Sequence, residues 1–172
     1  VIGPDTRISN SYISEESVVF NSIISDSKVE SGCHIGPYSY ITRESVVGEH
    51  SRIGNSVEVK NSKLGPYTKA LNLALIADAD FDENVSYGCG CITANFDGNV
   101  QTRTKVGENS FIGSNTNLIA PVQVSENTYI AAGSTITDDI PPYAMAIARN
   151  RQVIKEEWVL KKNRVRMSQN KN

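Results

Sequence analysis

No stretch of this chain approaches the ~20 consecutive apolar residues needed to cross a bilayer. The opening segment VIGPDTRISN has neither the basic nor the apolar region of a signal peptide. A soluble, cytoplasmic protein with no membrane partner is expected. Histidine is scarce: His34 and His50 are the only two, and a three-histidine zinc site cannot be built from them as they are placed. Cysteine is scarce as well, and Cys33, Cys89 and Cys91 are an odd number without metal spacing, so they read as reduced and no metal is expected. A net charge of -2 gives no electrostatic reason for a nucleic-acid partner. A glycine-rich phosphate loop, a Ser/His/Asp arrangement and a carboxylate pair of clear geometry are all missing.

What the chain has instead is a six-residue beat. Val29, Ile35, Ile41, Val47, Ile53 and Val59 stand six apart, and after Leu64 the beat resumes through Ala70, Ile76, Phe81 and Tyr87. A second block repeats it through Val106, Ile112, Leu118, Val124, Ile130 and Ile136. This period belongs neither to a helix nor to an ordinary strand. It fits a chain that turns a corner every hexapeptide and buries one apolar side chain between corners, each coil resting on its neighbours. That is an all-β fold, a parallel β-helix of hexapeptide repeats. The fifth place of each repeat, from Cys33 and Ser39 to Cys91 and Ser134, is small or β-branched and is expected to tuck inward. Glycine takes the second place at Gly36, Gly48, Gly54, Gly65, Gly88, Gly107 and Gly113, where a tight corner is expected to need backbone freedom.

Three hexapeptides make one coil, so residues 1–141 form a solenoid of about seven coils, more irregular over 1–28. The beat slips by one residue at Val59 to Leu64 and at Ile76 to Phe81, where the corners must be drawn in. Between Ile92 and Val106 the chain leaves the solenoid in an excursion loop, 93–105, with a turn at Asp97-Gly98. Loops on rigid scaffolds carry function more often than stability. Pro141-Pro142 ends the last coil, because proline cannot donate to a strand ladder. Residues 142–172 are a short C-terminal tail, partly helical where Glu156 and Glu157 precede Lys161 and Lys162, with a frayed end.

From Gly36 to about Trp158 the strings IGPYSYI, GNSVEVKNSKLG, ITANFDG, FIGSN, LIAPVQV, IAAGSTIT and AIARNRQ occur in order. They resemble the C-terminal acetyltransferase domain of the bifunctional N-acetylglucosamine-1-phosphate uridyltransferase/glucosamine-1-phosphate acetyltransferase family. The resemblance implies a left-handed β-helix, a homotrimer packed side by side along the prism axis, and acetyl-CoA or CoA, not tightly bound, in a groove at the subunit boundary. Handedness comes from the resemblance alone, since ordinary crossovers are overwhelmingly right-handed. Val1 is not an initiator methionine, which leaves open a uridyltransferase domain upstream of it.

Carried over by position, the resemblance implies cofactor-binding roles for Cys89, Asn95, Phe96, Ser114, Ala132 and Arg149. Phe96 stands where the family has tyrosine. Arginine beside a phosphate-bearing cofactor keeps its charge, and its fork matches phosphate oxygens. On the acceptor side only Lys60 matches. Asn72 holds the place of the family's catalytic histidine, and an amide cannot take up a proton near neutral pH, so no intact catalytic base is expected. Leu75, Ser86 and Thr42 replace a tyrosine, an asparagine and the phosphate-binding arginine, with Arg43 one place along on the other side of the strand. Counting repeats stacks Asn55, Asn72 and Cys89 in one column, puts His50 against Tyr67, and leaves His34 at a corner below.

Two functions remain open on these residues. One is an acetyl-CoA-dependent acetyltransferase-type domain of nucleotide-sugar biosynthesis, acting on an amino sugar or nucleotide sugar other than the family's acceptor. The other is a non-catalytic trimerisation or ligand-binding module attached to a sugar-phosphate nucleotidyltransferase.

Overall fold

The computed structural model describes residues 1–162. Strands of two to four residues follow one another around a three-sided prism, and every third strand joins the same parallel sheet. The first sheet has eight strands, from Arg7–Ser9 to Thr135–Ile136. The second has seven, from Tyr12–Ile13 to Val122–Val124, and the third eight, from Val18–Val19 to Met145–Ala146. The register keeps equivalent positions above one another: Ile41 lies opposite Val59, and Val59 opposite Ile76. This is the parallel β-helix that the six-residue beat describes.

Every residue of the beat from Val29 to Ile136 is buried, most with no accessible surface at all. The small fifth-place residues are buried beside them, Cys33, Cys91, Ser51 and Ser134 among them. Their polar atoms find backbone acceptors: in the coil above, the Cys91 thiol donates to Gly113 O at 3.0 Å and Cys33 to Gly48 O at 3.1 Å, while the Ser134 hydroxyl donates to Ala131 O of its own coil at 2.6 Å. Burial pushes both thiols up from their ordinary range, so they stay protonated donors. Tyr87, inside the column, donates its hydroxyl to Leu75 O at 3.3 Å, and burial holds its pKa well above the usual value.

The second-place glycines serve a different need from the one expected. Among them only Gly36 has a positive φ, 113°. The others are small because adjacent coils touch there: a Cβ on Gly54 would sit 2.2 Å from Leu71 O, and one on Gly113 2.5 Å from Ala132 N. The left-handed backbone falls instead two places later, on residues such as Asn84, Asn109, Asn115 and Asn127, and asparagine tolerates that region through its short polar side chain. At the two slips, Asn61 and Asp78 take φ of 47° and 49° and turn the corner with one residue fewer. Both slips lie on the edge between the first and second sheets, where Asn10 and Asp26 do the same in earlier coils.

Three boundaries differ from the expected ones. Thr93 continues the inward column within strand Ile92–Ala94, and Thr104 reopens the second sheet in strand Thr104–Val106, so the excursion proper is residues 95–103. The solenoid does not stop at 141. Ile140 bridges to Val124, and Met145–Ala146 adds a strand to the third sheet beyond Pro142. The two prolines sit in the turn, where no ladder donor is required. Among the described residues helix is confined to 158–162; the frayed end expected for QNKN lies outside them.

Thr104 is fully buried between Ala79 and Val122, and its hydroxyl has no hydrogen-bond partner. A buried unpartnered hydroxyl costs roughly 1–3 kcal/mol, so Thr104→Val should raise the melting temperature, by about 1 kcal/mol of stability; a lower one would mean that the hydroxyl is satisfied. Ile112→Asp should prevent folding, because it buries an unpaired carboxylate between coils, and a soluble variant with the parental melting curve would contradict the inward frame.

Candidate functional site

The outward faces of the prism are unlike one another. The second sheet shows Tyr12, Lys28, Val46, Lys63, Asp80, Lys105 and Gln123 in one row. The third carries Phe111 and Tyr129, stacked with ring centroids 4.6 Å apart, followed by Met145, all exposed. The first carries Ile23, Tyr40 and Ile92, exposed, with Leu75 half-buried below Ile92. Apolar surface therefore collects on the first sheet and on the upper rows of the third, whose lower rows are His34, Arg52 and Lys69.

The site residues named from the sequence fall on two edges. On the edge between the third and first sheets, Asn72 lies opposite Asn55. Backbone bonds carry the stack upward, with Gly90 N donating to Leu73 O at 2.9 Å, Asn115 N to Cys89 O at 2.8 Å and Gly133 N to Ser114 O at 2.8 Å. Cys89, Ser114 and Ala132 are exposed along this edge, and small side chains leave a shallow track beside them. Arg149 caps the track: its Cδ lies 3.8 Å from where a Gly133 Cβ would be, ordinary contact distance, and Gly133 itself takes a φ of 76°. Leu75 opens the adjoining strand, half-buried. Ser86 sits apart, facing out of the third sheet between Lys69 and Phe111.

The other group is at the opposite edge of the first sheet. Thr42 and Lys60 face each other across the ladder. Thr42 is nearly buried and its hydroxyl pairs with Ser25 Oγ at 2.9 Å; Lys60 Nζ lies 3.7 Å from Glu58 Oε1. Asn95 follows strand Ile92–Ala94 at the same edge, and Phe96, exposed, bridges to Gln101 at the mouth of the excursion. One prism thus brings Asn72, Cys89, Ser114, Ala132 and Arg149 together and Thr42, Lys60 and Asn95 together, with the first sheet between the groups. Arg43 is not on the other side of the strand. It is a left-handed corner residue (φ 56°), exposed, and it is the extra residue that makes this corner longer than its neighbours.

His50 stacks on Tyr67, centroids 5.2 Å apart, at the edge between the second and third sheets. His34 is not at a corner; it faces out of strand His34–Ile35 opposite Arg52. Neither belongs to the edge that holds Asn72. No cluster of potential metal ligands occurs among the described residues.

The feet of the excursion were not foreseen. Thr93 takes an apolar place in the inward column because its hydroxyl accepts from Ala77 N at 2.7 Å and donates to Ala77 O at 2.9 Å, bonds that the diverging strand no longer supplies. Six residues after Tyr87, it could have been found by counting on. At the returning foot, the Arg103 fork donates to both Asp80 oxygens, at 3.0 and 2.6 Å, and also reaches Asn61 O and Ala79 O. Nothing in the spacing pairs these two. Thr102 N closes the neck on Asn95 O at 2.8 Å, and Asp97 Oδ1 holds the tip by accepting from Asn99 and Val100 N–H.

The repeats are of hexapeptide-repeat type: the family described as bacterial transferase hexapeptide (six repeats) matches twice, at residues 26–61 and at 103–138. More specifically, the chain resembles the C-terminal acetyltransferase domain of the bifunctional protein GlmU. It is 45% identical over 166 residues to that of Acetivibrio thermocellus, covering 96% of this chain and 36% of the relative. To that of Caldicellulosiruptor saccharolyticus it is 50% identical over 158 residues, covering 92% and 34%. The chain spans about a third of the length of these curated relatives. Among solved structures, UDP-N-acetylglucosamine acyltransferase from Campylobacter jejuni matches with a TM-score of 0.58 at 17% identity, over 95% of this chain and 82% of that one. LpxA from Moraxella catarrhalis matches at 0.65 and 16%, over 94% and 70%. These two share the fold.

The hydrogen bond from Arg103, more than its charge, holds the Asp80 carboxyl below its ordinary 3.8. A depressed folded value means that the ion pair stabilises above the ordinary carboxylate range and is lost as pH falls through the lowered value. Hydrogen exchange at the Thr102 amide, corrected for its intrinsic rate, should therefore keep constant protection from pH 7 down to about 4 and lose it only below. Loss of protection between pH 7 and 5 would show that some other group holds the neck.

Proposed function

We infer that this chain is an acetyl-CoA-dependent acetyltransferase-type domain of an amino-sugar or nucleotide-sugar pathway. It works as a homotrimer in the cytoplasm, with the cofactor side of its site kept and the acceptor side altered. The observation that carries the reading is the likeness of 45–50% to GlmU over nearly the whole chain, together with the track on the edge that holds Asn72. A long, thin cofactor with a phosphorylated end suits such a track. Cys89, Ser114 and Ala132 present no bulk along it, and Arg149 supplies a persistent cation where phosphate would lie. Bound there, acetyl-CoA supplies a thioester whose acetyl group passes to an amine.

The homotrimer is supported by the faces of the prism. The exposed apolar residues of the first sheet and of the upper rows of the third, Phe111, Tyr129 and Met145, gain by being covered. The edges support it as well. Asn72 and Arg149 are separated from Lys60 and Asn95 by the width of a sheet, so an edge of one copy laid against the opposite edge of the next would complete a groove.

On the acceptor side Asn72 offers no basic atom, and Leu75 and Thr42 offer neither a phenol nor a cation. Glucosamine 1-phosphate then lacks both a base for its amine and part of a clamp for its phosphate. An acceptor whose amine is already neutral would need no base, since loss of a general base costs only about 10²- to 10⁴-fold and positioning remains. The non-catalytic module is the second reading, favoured by the same absence of a base.

Sedimentation should report a particle near three times 18.8 kDa. Calorimetry should detect acetyl-CoA, and Arg149→Ala should weaken it by roughly 1–3 kcal/mol. A thiol-release assay should find glucosamine 1-phosphate turned over far more slowly than other amino sugars. Brisk turnover would refute the altered acceptor side, and no binding at millimolar acetyl-CoA would leave only the non-catalytic module.

A further inference from the structure

Asp78 is a carboxylate with only 6% of its surface exposed, at the edge between the first and second sheets where the excursion departs and returns. One of its oxygens accepts from Asn61 Nδ2 in the coil below and the other from Asn95 Nδ2 in the coil above. Its backbone carbonyl accepts from Thr104 N at 3.0 Å, the first residue after the excursion. Both ends of a nine-residue departure, 95–103, therefore converge on one residue of the preceding coil. That residue is itself locked in the left-handed region, where its own N–H donates to Lys60 O at 3.1 Å. Neighbouring Asp80 holds Arg103.

The chemistry at Asn95 follows from the carboxylate. The carboxamide of Asn95 turns its NH₂ toward Asp78 Oδ2, which leaves its oxygen Oδ1 on the side away from that carboxylate. Without that partner an amide can present either end. We propose that Asp78 is a positioning residue: it fixes the departing foot of the excursion and sets Asn95 so that its Oδ1 faces the groove as a hydrogen-bond acceptor. The donor that this selects is an uncharged N–H of the ligand, such as a secondary amide of the pantetheine arm of acetyl-CoA. The ligand part rests on the acetyl-CoA reading above; the anchoring part does not.

The two parts are separated by reversing the bond. In Asp78→Asn the acceptor pair becomes one oxygen shared between two amides. In Asn95→Asp two carboxylates meet. The double variant Asp78→Asn/Asn95→Asp restores an N–H···O bond between the two residues with its direction reversed, but turns a carboxylate toward the groove. Two quantities are read: chymotryptic cleavage after Phe96, located by mass spectrometry, and acetyl-CoA affinity by calorimetry. Each single variant is expected to be cut about tenfold faster and to bind about tenfold more weakly. The double variant is expected to return to the parental cleavage rate while its affinity stays low. A role limited to stability would move both readouts together.

Parental cleavage in both single variants would overturn the anchoring. A double variant that recovers affinity along with protection would overturn the orientation of Asn95. If the parent binds no acetyl-CoA, the functional reading fails and cleavage alone still decides the anchoring. Should neither single variant fold, Arg103→Gln, which releases the other foot at a partly exposed position, is expected to speed the same cut while leaving Asn95 oriented and the affinity within about threefold of the parent; an affinity that fell with it tenfold would overturn the special role of Asp78.

Discussion

Everything in this molecule depends on one coil lying directly on the next. Parallel strands sit roughly 4.8 Å apart, so each position repeats almost vertically, and whatever stands at one level must tolerate its like above and below. Inward positions answer with branched side chains that stack without gaps, from Ile24 through Ile41 and Val59 to Ile76. Second-place positions answer with no side chain at all where the backbone of the next coil would strike it. Corners answer with residues that accept a left-handed backbone and whose side chains can bond along the edge, as Asn10 does to Asp26 and Asn84 to Asn109.

An excursion can leave such a stack only if the bonds it abandons are replaced. Here the replacements are local and complete at both feet except for one hydroxyl. Thr93 supplies what Ala77 loses, Asp78 and Asp80 hold the departing and returning residues, and Thr104 Oγ1 is left without a partner. The loop is consequently presented by a frame that is rigid on either side. This is what a site assembled from Asn95, Phe96 and the edge of another copy would require.

How much of this was legible follows from which distances the sequence encodes. The inward column was legible because its period is the geometry itself, and every residue of the beat is buried. The purpose of the glycines was misread because it concerns a backbone one coil away: the Cβ that Gly54 lacks would strike Leu71, and no local rule for corners contains that contact. The end at Pro141 was misread because a proline that cannot donate is harmless in a turn, so the ladder resumes at Met145. The stacking of Asn55, Asn72 and Cys89 followed from counting repeats. The ion pair of Arg103 with Asp80 did not, because the excursion breaks the count between them.

The same geometry separates what may change from what must not. Inward and second-place residues are constrained by two neighbours each and carry no chemistry, while the edge residues Asn72, Cys89 and Ser114 touch solvent on one side and are constrained only by the backbone they share. Asn72 at the edge lies opposite Asn55 and touches none of the inward column, so the fold does not depend on which side chain stands there. Asn95 is the exception among the edge positions, since its amide donates to the buried Asp78 carboxylate. A substitution there would cost the loop its anchor.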